Sequence, residues 1–266
     1  MAIARRIGYG MKTIVGDKSI GHAVQVADTL NKAGFNAVPT EADLASRPSI
    51  LALLDTALHY GEIRYLVNAA GVSPSQASIE TILKVDLYGT AVVLEEVGKV
   101  IKRGGTGLTV SSQSGHRLPA LGEEADRLLA TTPTEELLNL DILQPHNIRD
   151  TLHAYQLAKR CNVKRVMAEA VRWGKRGARI NSVSPGIIVT PLAVDEFNGP
   201  RGNFYKEMFA RCPAGRPGTA DEVANVAELL MGDRGAFITG SDFLVDGGAT
   251  ASYFYGDYGE AAAVGK

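Results

Sequence analysis

The chain has 266 residues, 45% of them apolar and 21% charged, enough for one sizeable α/β core, with a second small domain possible but not required. Twenty-eight basic residues against 29 acidic ones leave a net charge of -1, which gives no reason to expect nucleic acid or an anionic membrane as partner, and no apolar run is long enough to cross a bilayer. Cys161 and Cys212 are too few for a disulfide scaffold, the five histidines are scattered and form no metal cluster, and no signal peptide is visible, so a reducing cytoplasm is the expected compartment.

Short apolar strands alternate with longer helical stretches, the rhythm of a parallel sheet covered on both faces. Strands are predicted at 12–15, 35–38, 64–67, 107–110, 179–183 and 243–245, and helices at 20–33, 46–59, 79–102, 152–174 and 220–231. The 20–33 stretch places Ala23, Val26, Ala27, Leu30 and Ala33 on one stripe. Asp221 and Glu222 fall in the first turn of the last helix, where acids suit the dipole. Residues 116–151 break the rhythm with two short predicted helices, 123–129 and 134–140. For the second, Thr132 is the expected N-cap, Pro133 the first helical residue and Glu135 the acid three after the cap. This stretch reads as a helical excursion, a candidate lid or rim within a single domain spanning 1–266. The tail, 249–266, gathers Tyr253, Phe254, Tyr255 and Tyr258, which suit a pocket wall, an interface or packing on the tail's own domain.

Tyr155 and Lys159 stand four apart in a helical context, so their side chains share a face. An ammonium beside a phenol favours the phenolate and makes it usable for proton transfer near neutral pH, whereas an unaided phenol, with a pKa of about 10, is a poor acid and a poor base. Taken alone, the pair also fits a surface helix with a half-buried tyrosine. Ser112 follows the 107–110 strand, at the carboxyl end where chemistry gathers in an open α/β sheet. A serine there can hold the oxygen of a carbonyl or alcohol, or simply make a turn. Asn68, Ala69, Ala70 and Gly71 end another strand with small residues that let a flat ligand approach the backbone. Asp17 ends the first strand, where a carboxylate can accept hydrogen bonds from an adenosine ribose. Lys18 beside it is a cation that could tolerate a phosphate.

With these pieces in order, the chain resembles a classical short-chain dehydrogenase/reductase over nearly its whole length. The resemblance is carried by Asn68 to Gly71, Ser112, Tyr155 with Lys159, Ser184-Pro185-Gly186-Ile187 with Thr190 and Pro191, Gly215-Arg216-Pro217-Gly218, and the run from Gly240 to Gly248. It implies a Rossmann-like doubly wound parallel sheet and an NAD(P)-dependent oxidoreductase that interconverts a secondary alcohol and a ketone. NAD is expected ahead of NADP, and a steroid or another bulky apolar molecule is a candidate substrate. It further implies that Tyr155 exchanges a proton with the substrate oxygen, that Ser112 orients that oxygen, and that Lys159 binds ribose hydroxyls and stabilises the phenolate. Asp43 and Leu44 match an adenine contact. Pro185, Gly186, Ile187, Ile188 and Thr190 match the nicotinamide end.

Three departures from the family pattern stand out. The opening strand and glycine-rich pyrophosphate loop have no counterpart before the helix at 2–7, and Gly8, Gly10 and Gly16 follow that helix instead of preceding it. The lost strand belongs mid-sheet, so its neighbours are expected to leave buried backbone groups unpaired. A misplaced start or truncated sequence, a sheet rearranged to close the gap, and a degenerate member are the competing explanations. Asp86 stands where the family has an asparagine that helps position a water near the lysine; an ionised aspartate accepts hydrogen bonds but cannot donate them. Ser112 and Tyr155 lie 43 positions apart, far beyond the usual spacing. The extra helices of 116–151 resemble the insertion in bacterial 3α-hydroxysteroid dehydrogenase/carbonyl reductase, which blocks one common subunit contact, so a homodimer is expected ahead of a tetramer. Leu118, Leu121, Leu128, Leu129, Leu137 and Leu138 either line an apolar substrate mouth or form the insert's own core. The rival to an enzyme is a cofactor-deficient dehydrogenase-like protein acting as a binding or self-association module.

Overall fold

The computed structural model of the protein describes residues 1–190 and 202–256, which leaves the predicted roles of Pro191 and Tyr258 outside the described residues. Helix α1 (Ala2–Ile7) precedes β1 (Lys12–Asp17), α2 (Ile20–Lys32), β2 (Asn36–Glu41), α3 (Arg47–His59) and β3 (Tyr65–Asn68). Helix α4 (Ile79–Ile82) passes through a π-helical stretch, Leu83–Gly89, into α5 (Thr90–Val100). Next come β4 (Thr106–Val110), the single turn α6 (Gln113–His116), α7 (Glu123–Thr131) and the long α8 (Thr151–Lys175). Strands β5 (Arg179–Pro185) and β6 (Ile188–Val189) are followed by α9 (Gly202–Arg211), β7 (Gly218–Thr219), α10 (Ala220–Met231), β8 (Asp242–Val245) and α11 (Ala249–Tyr255).

Side chains that satisfy the free amides of a first turn start the main helices. Ser19 accepts from the His22 N–H at α2, Asp150 from His153 at α8, and Thr219 and Glu222 close a capping box on α10. Each predicted strand and helix of the regular rhythm is present. Sequence reading missed α9, α11 and the two-residue strands β6 and β7, which are too short to show a period.

All strand pairings among the described residues are parallel. Strands β3, β4, β5 and β8 form one ladder, with Tyr65 opposite Thr106, Thr106 opposite Arg179 and Ser182 opposite Asp242. Strands β1 and β2 form another, with Lys12 opposite Asn36. No pairing joins β1 to β3, so the sheet is open between them and has not rearranged to close the gap. The expected burial of unpaired backbone is corrected here. Ile14, Val15, Leu66 and Val67 beside the opening are only half-buried, which leaves their strands within reach of water, while β4 and β5 are buried almost throughout. Helix α1 lies across the break. Ile3 and Ile7 pack in the cluster that holds Tyr65 and Val67, and Ala4 packs in the one that holds Val15.

The 116–151 region forms a packed wall, not a lid. Leu118, Leu129 and Leu137 are buried together with Ile82, Leu87 and Leu157, while Leu121 and Leu138 pack at the edge of that cluster. The predicted cap at Thr132 does not form. Pro133 is extended, Thr132 ends α7, and Thr134–Asn139 is a 3-10 helix with no side-chain cap. The groups the box would have used have other partners: the Thr132 N–H donates to the Leu128 carbonyl (3.0 Å), and Glu135 accepts from Arg47 and Tyr88. Among the described residues no helix is long and apolar enough to cross a membrane, and no cluster of His, Cys, Asp and Glu is arranged to hold a metal ion.

Candidate active site

Strand β4 delivers two serines with different tasks. The Ser111 N–H donates to the Val183 carbonyl (2.7 Å), and its buried hydroxyl donates to the Lys159 carbonyl (2.8 Å). Ser112, in extended conformation, caps α6 by accepting from the Ser114 N–H (3.2 Å). The turn then presses on α8: a Cβ on Gly115 would stand 2.8 Å from the Arg160 amide nitrogen and 3.0 Å from the Lys159 carbonyl carbon. The serine segment and the Tyr155 helix are thereby held in one arrangement across an interval of more than forty residues. Sequence reading missed Ser111 and Gly115. The Ser-Ser doublet and the glycine after it were the available signal.

On α8, Tyr155 is half-buried and Lys159 is 5% exposed, with its Nζ 5.2 Å from the centre of the Tyr155 ring. The same Nζ lies 3.9 Å from Oδ2 of Asp86, which the π-helical stretch turns fully into the interior. Asp86 Oδ1 accepts from the Val72 N–H (2.8 Å), while Oδ2 has no hydrogen-bond partner among the described residues. A Cβ on Gly71 would stand 3.0 Å from Asp86 Oδ1 and 3.4 Å from Lys159 Nζ, so a larger residue there would crowd both. Asn68 is turned inward and donates to Thr90 (3.2 Å), whereas Ala69, Ala70 and Gly71 are exposed along the same edge. Residues from four separate segments thus meet at the carboxyl ends of β3 and β4.

Burial pushes the Asp86 carboxyl upward, against the opposing pull of Lys159 and the Val72 N–H. A raised carboxyl contributes stability below the unfolded carboxylate range and loses it as pH rises through the folded value. Asp86→Asn keeps the acceptor for Val72 and cannot ionise. Its melting temperature relative to wild type should therefore climb from pH 4 to pH 9. A difference that stays constant with pH would contradict the buried carboxyl.

Two further groups of predicted residues flank this centre. At the end of β1, Asp17 Oδ1 accepts from the Ser19 N–H (2.8 Å). Lys18 pairs with Asp43 Oδ2 (2.9 Å), and this contact, the main cause, holds the Asp43 carboxyl below its usual range; the Ala45 N–H adds to it. Leu44 is 9% exposed with its side chain in the core, so only its backbone can meet a ligand. On the other flank, the Gly186 N–H donates to the Val245 carbonyl (2.9 Å) beside buried Pro185, and Ile188 pairs with Gly218. Ile187 and Ile188 face a cavity of about 90 Å³ that also touches Met208 and Cys212, and Thr190 ends this segment. The residues present fit the two ends of a dinucleotide. Among the described residues no glycine-rich loop reaches the opening between β1 and β3 that separates those ends.

Comparisons with known proteins bear on the family and the fold. A family model described as short chain dehydrogenase matches residues 1–122, and one described as enoyl-(acyl carrier protein) reductase matches residues 118–250. The chain is 36% identical to short-chain dehydrogenase/reductase bsc3 of Alternaria brassicicola, across 94% of this chain and 91% of that protein. It is 30% identical to D-threitol dehydrogenase of Mycolicibacterium smegmatis, across 78% of this chain and 71% of that protein. Among solved structures, a blue fluorescent protein from a metagenomic library in complex with NADPH has the same fold, with a TM-score of 0.72 at 21% identity over 93% of this chain and 92% of that one.

Proposed function

The chain belongs to the short-chain dehydrogenase/reductase family of oxidoreductases, and from that premise we propose that it interconverts a secondary alcohol and a ketone through Ser112, Tyr155 and Lys159. The observation that carries the reading is the tether from Ser111 to the Lys159 carbonyl, which holds the serine segment against the helix bearing the tyrosine and lysine. In reduction, negative charge develops on the substrate oxygen. Tyr155 gives that oxygen a proton and Ser112 donates a hydrogen bond to it, both positioned beforehand. Lys159 keeps positive charge beside the phenol, and Asp86 is the buried neighbour of that lysine. A nicotinamide dinucleotide, when bound, supplies or accepts the hydride at carbon.

We assign its adenosine end to Asp17, Asp43 and the backbone of Leu44, its middle to Asn68, Ala69, Ala70 and Gly71, and its nicotinamide end to Tyr155, Lys159, Pro185, Gly186, Ile188 and Thr190. NAD is the preferred cofactor in this reading. Lys18 is already paired with Asp43, so a 2′-phosphate would meet two carboxylates without a free cation. The support for a steroid-like substrate is weaker than the leucine pattern suggested, because Leu118, Leu129 and Leu137 are buried in the wall itself. The wall also covers α4 and α8, and on that basis a dimer is favoured over a tetramer, a distinction that sedimentation velocity reads directly. One observation favours the rival scaffold reading: the sheet is open where a dinucleotide's middle would rest.

The deciding experiment is turnover of a panel of secondary alcohols, followed by the absorbance of the reduced nicotinamide. NAD should be preferred over NADP by kcat/KM on the order of tenfold, the effect of about 1.4 kcal/mol. Absence of turnover together with absence of dinucleotide binding would establish the scaffold reading instead.

A further inference from the structure

Ser112 heads a turn that cannot hold itself. Helix α6 has four residues, and a single turn fixes several dihedrals for very few hydrogen bonds, so its shape depends on what it is attached to. Its own bonds run from the Gly115 N–H to the Ser112 carbonyl (3.1 Å) and from the Arg117 N–H to the Gln113 carbonyl (3.3 Å). The Ser112 hydroxyl is aimed from within this turn. It accepts from the Ser114 N–H (3.2 Å), which leaves its own proton free to be donated. A shift of the Ser114 amide therefore re-aims the hydroxyl. Gly115 lets the turn lie against α8, but that is a packing contact and carries no direction.

The directional hold comes from the last residue of the turn. His116 Nε2 lies 2.6 Å from Oδ2 of Asp242 on β8. An ionised carboxylate only accepts, so Nε2 carries the proton. Asp242 is itself held in place: its side chain is 7% exposed, Ser182 donates to Oδ1 (2.6 Å) and Ser184 donates to Oδ2 (2.8 Å). Both serines are fully buried on β5, where Ser182 stands opposite Asp242 in the ladder. Three donors from two elements leave the carboxylate one orientation. The same strand β5 receives the other end of the segment, because the Val183 carbonyl accepts the Ser111 N–H (2.7 Å). Residues 111–116 thus leave the sheet and return to it, with Ser112 between two fixed points. Burying a carboxylate is costly, and an apolar residue would fill the place at less cost. What the acid adds is direction.

We propose that His116 and Asp242 are positioning residues: the carboxylate fixes the imidazole, the imidazole fixes the end of α6, and the turn aims the Ser112 hydroxyl at the substrate oxygen. The consequence for the reaction rests on the alcohol/ketone reading above. The clamp on the turn does not.

Amide hydrogen exchange, read by NMR, tests the clamp without any turnover. It is measured on wild type, His116→Ala and His116→Gln, whose amide nitrogen reaches the place of Nε2. In wild type the Gly115 and Arg117 amides should exchange more slowly than in an unstructured peptide. In His116→Ala they should exchange about tenfold faster while the amides of α8 keep their rates, and His116→Gln should restore the protection. Unprotected α6 amides in wild type overturn the clamp whether or not a variant folds. So do unchanged rates in His116→Ala, or an acceleration that α8 shares equally, the mark of lost global stability. Turnover tests the aim. His116→Ala should lower kcat about tenfold at little changed KM, less than the hundredfold of a misplacement of about 1 Å, and His116→Gln should recover most of it. Added to Ser112→Ala, His116→Ala should cost nothing further, since a hydroxyl that is gone cannot be misaimed. An equal loss in that background overturns the positioning role. The expected exchange pattern without turnover by wild type would leave the clamp standing and remove the dehydrogenase reading. Turnover with unaltered α6 exchange in His116→Ala would do the reverse.

Discussion

Replacing Tyr155 with Phe is expected to lower kcat by about 10²- to 10⁴-fold, the usual contribution of a positioned proton donor. The substitution is a clean one. The ring packs at the edge of a core cluster and is half-buried, and Phe keeps that packing while removing only the hydroxyl. Lys159 stays beside the ring and Ser112 stays tethered through Ser111, so binding of the dinucleotide and of a ketone should change little. The loss should therefore fall on kcat and not on KM, the signature of an interaction made in the transition state. Steady-state kinetics with the melting temperature measured alongside would check this. A variant that turns over at the wild-type rate would show that another group supplies the proton.

The largest expected effect on stability is at the far end of the same helix. Trp173 has no exposed surface, and its indole N–H donates to the Leu94 carbonyl (3.1 Å). The neighbouring elements have glycines where the ring approaches: a Cβ on Gly107 would stand 2.8 Å from the ring, and Gly98 meets the ring in the same way. Trp173→Ala should cost about 3–5 kcal/mol, from lost apolar burial, a cavity that two glycines cannot fill, and the lost indole hydrogen bond. Urea denaturation reads this as a lower midpoint at unchanged slope. A loss below about 1 kcal/mol would mean that the helix is not anchored there. Catalysis in the fraction that remains folded should be spared, because Trp173 lies about five helical turns beyond Tyr155, about 27 Å along the axis.

The two substitutions divide the roles of α8. Its first half presents the proposed chemistry, and its second half secures the helix in the core. The contacts of Ser111 and Gly115 hold the Tyr155 end relative to Ser112 without the Trp173 anchor, and a displacement there on the order of 1 Å can cost about a hundredfold in rate. Ser111 and Gly115 provide the near anchor and Trp173 the far one.

Much of this was legible from residue order. The alternation of strands and helices reports which faces are buried, and burial follows a local period, so the regular elements could be placed without contacts. Tyr155 with Lys159 was legible for the same reason, since one helical turn relates them. Other features depended on pairs distant in the chain. The cap expected at Thr132 gave way to the end of α7, where the Thr132 N–H goes to the Leu128 carbonyl, and Lys18, an ambiguous cation in the sequence, pairs with Asp43. The choice between two readings of the leucines required knowing that Leu129 and Leu137 meet Leu157.

The sequence by itself determined the element order and the family pattern and supplied the side chains proposed to react, because short-range spacing and residue chemistry are sufficient for each. Tertiary structure alone decided that the sheet stays open between β1 and β3 and that Asp86 is buried against Lys159. These are outcomes of competition among distant hydrogen-bonding and charged groups for the same partners, and that competition is resolved only when the chain is packed.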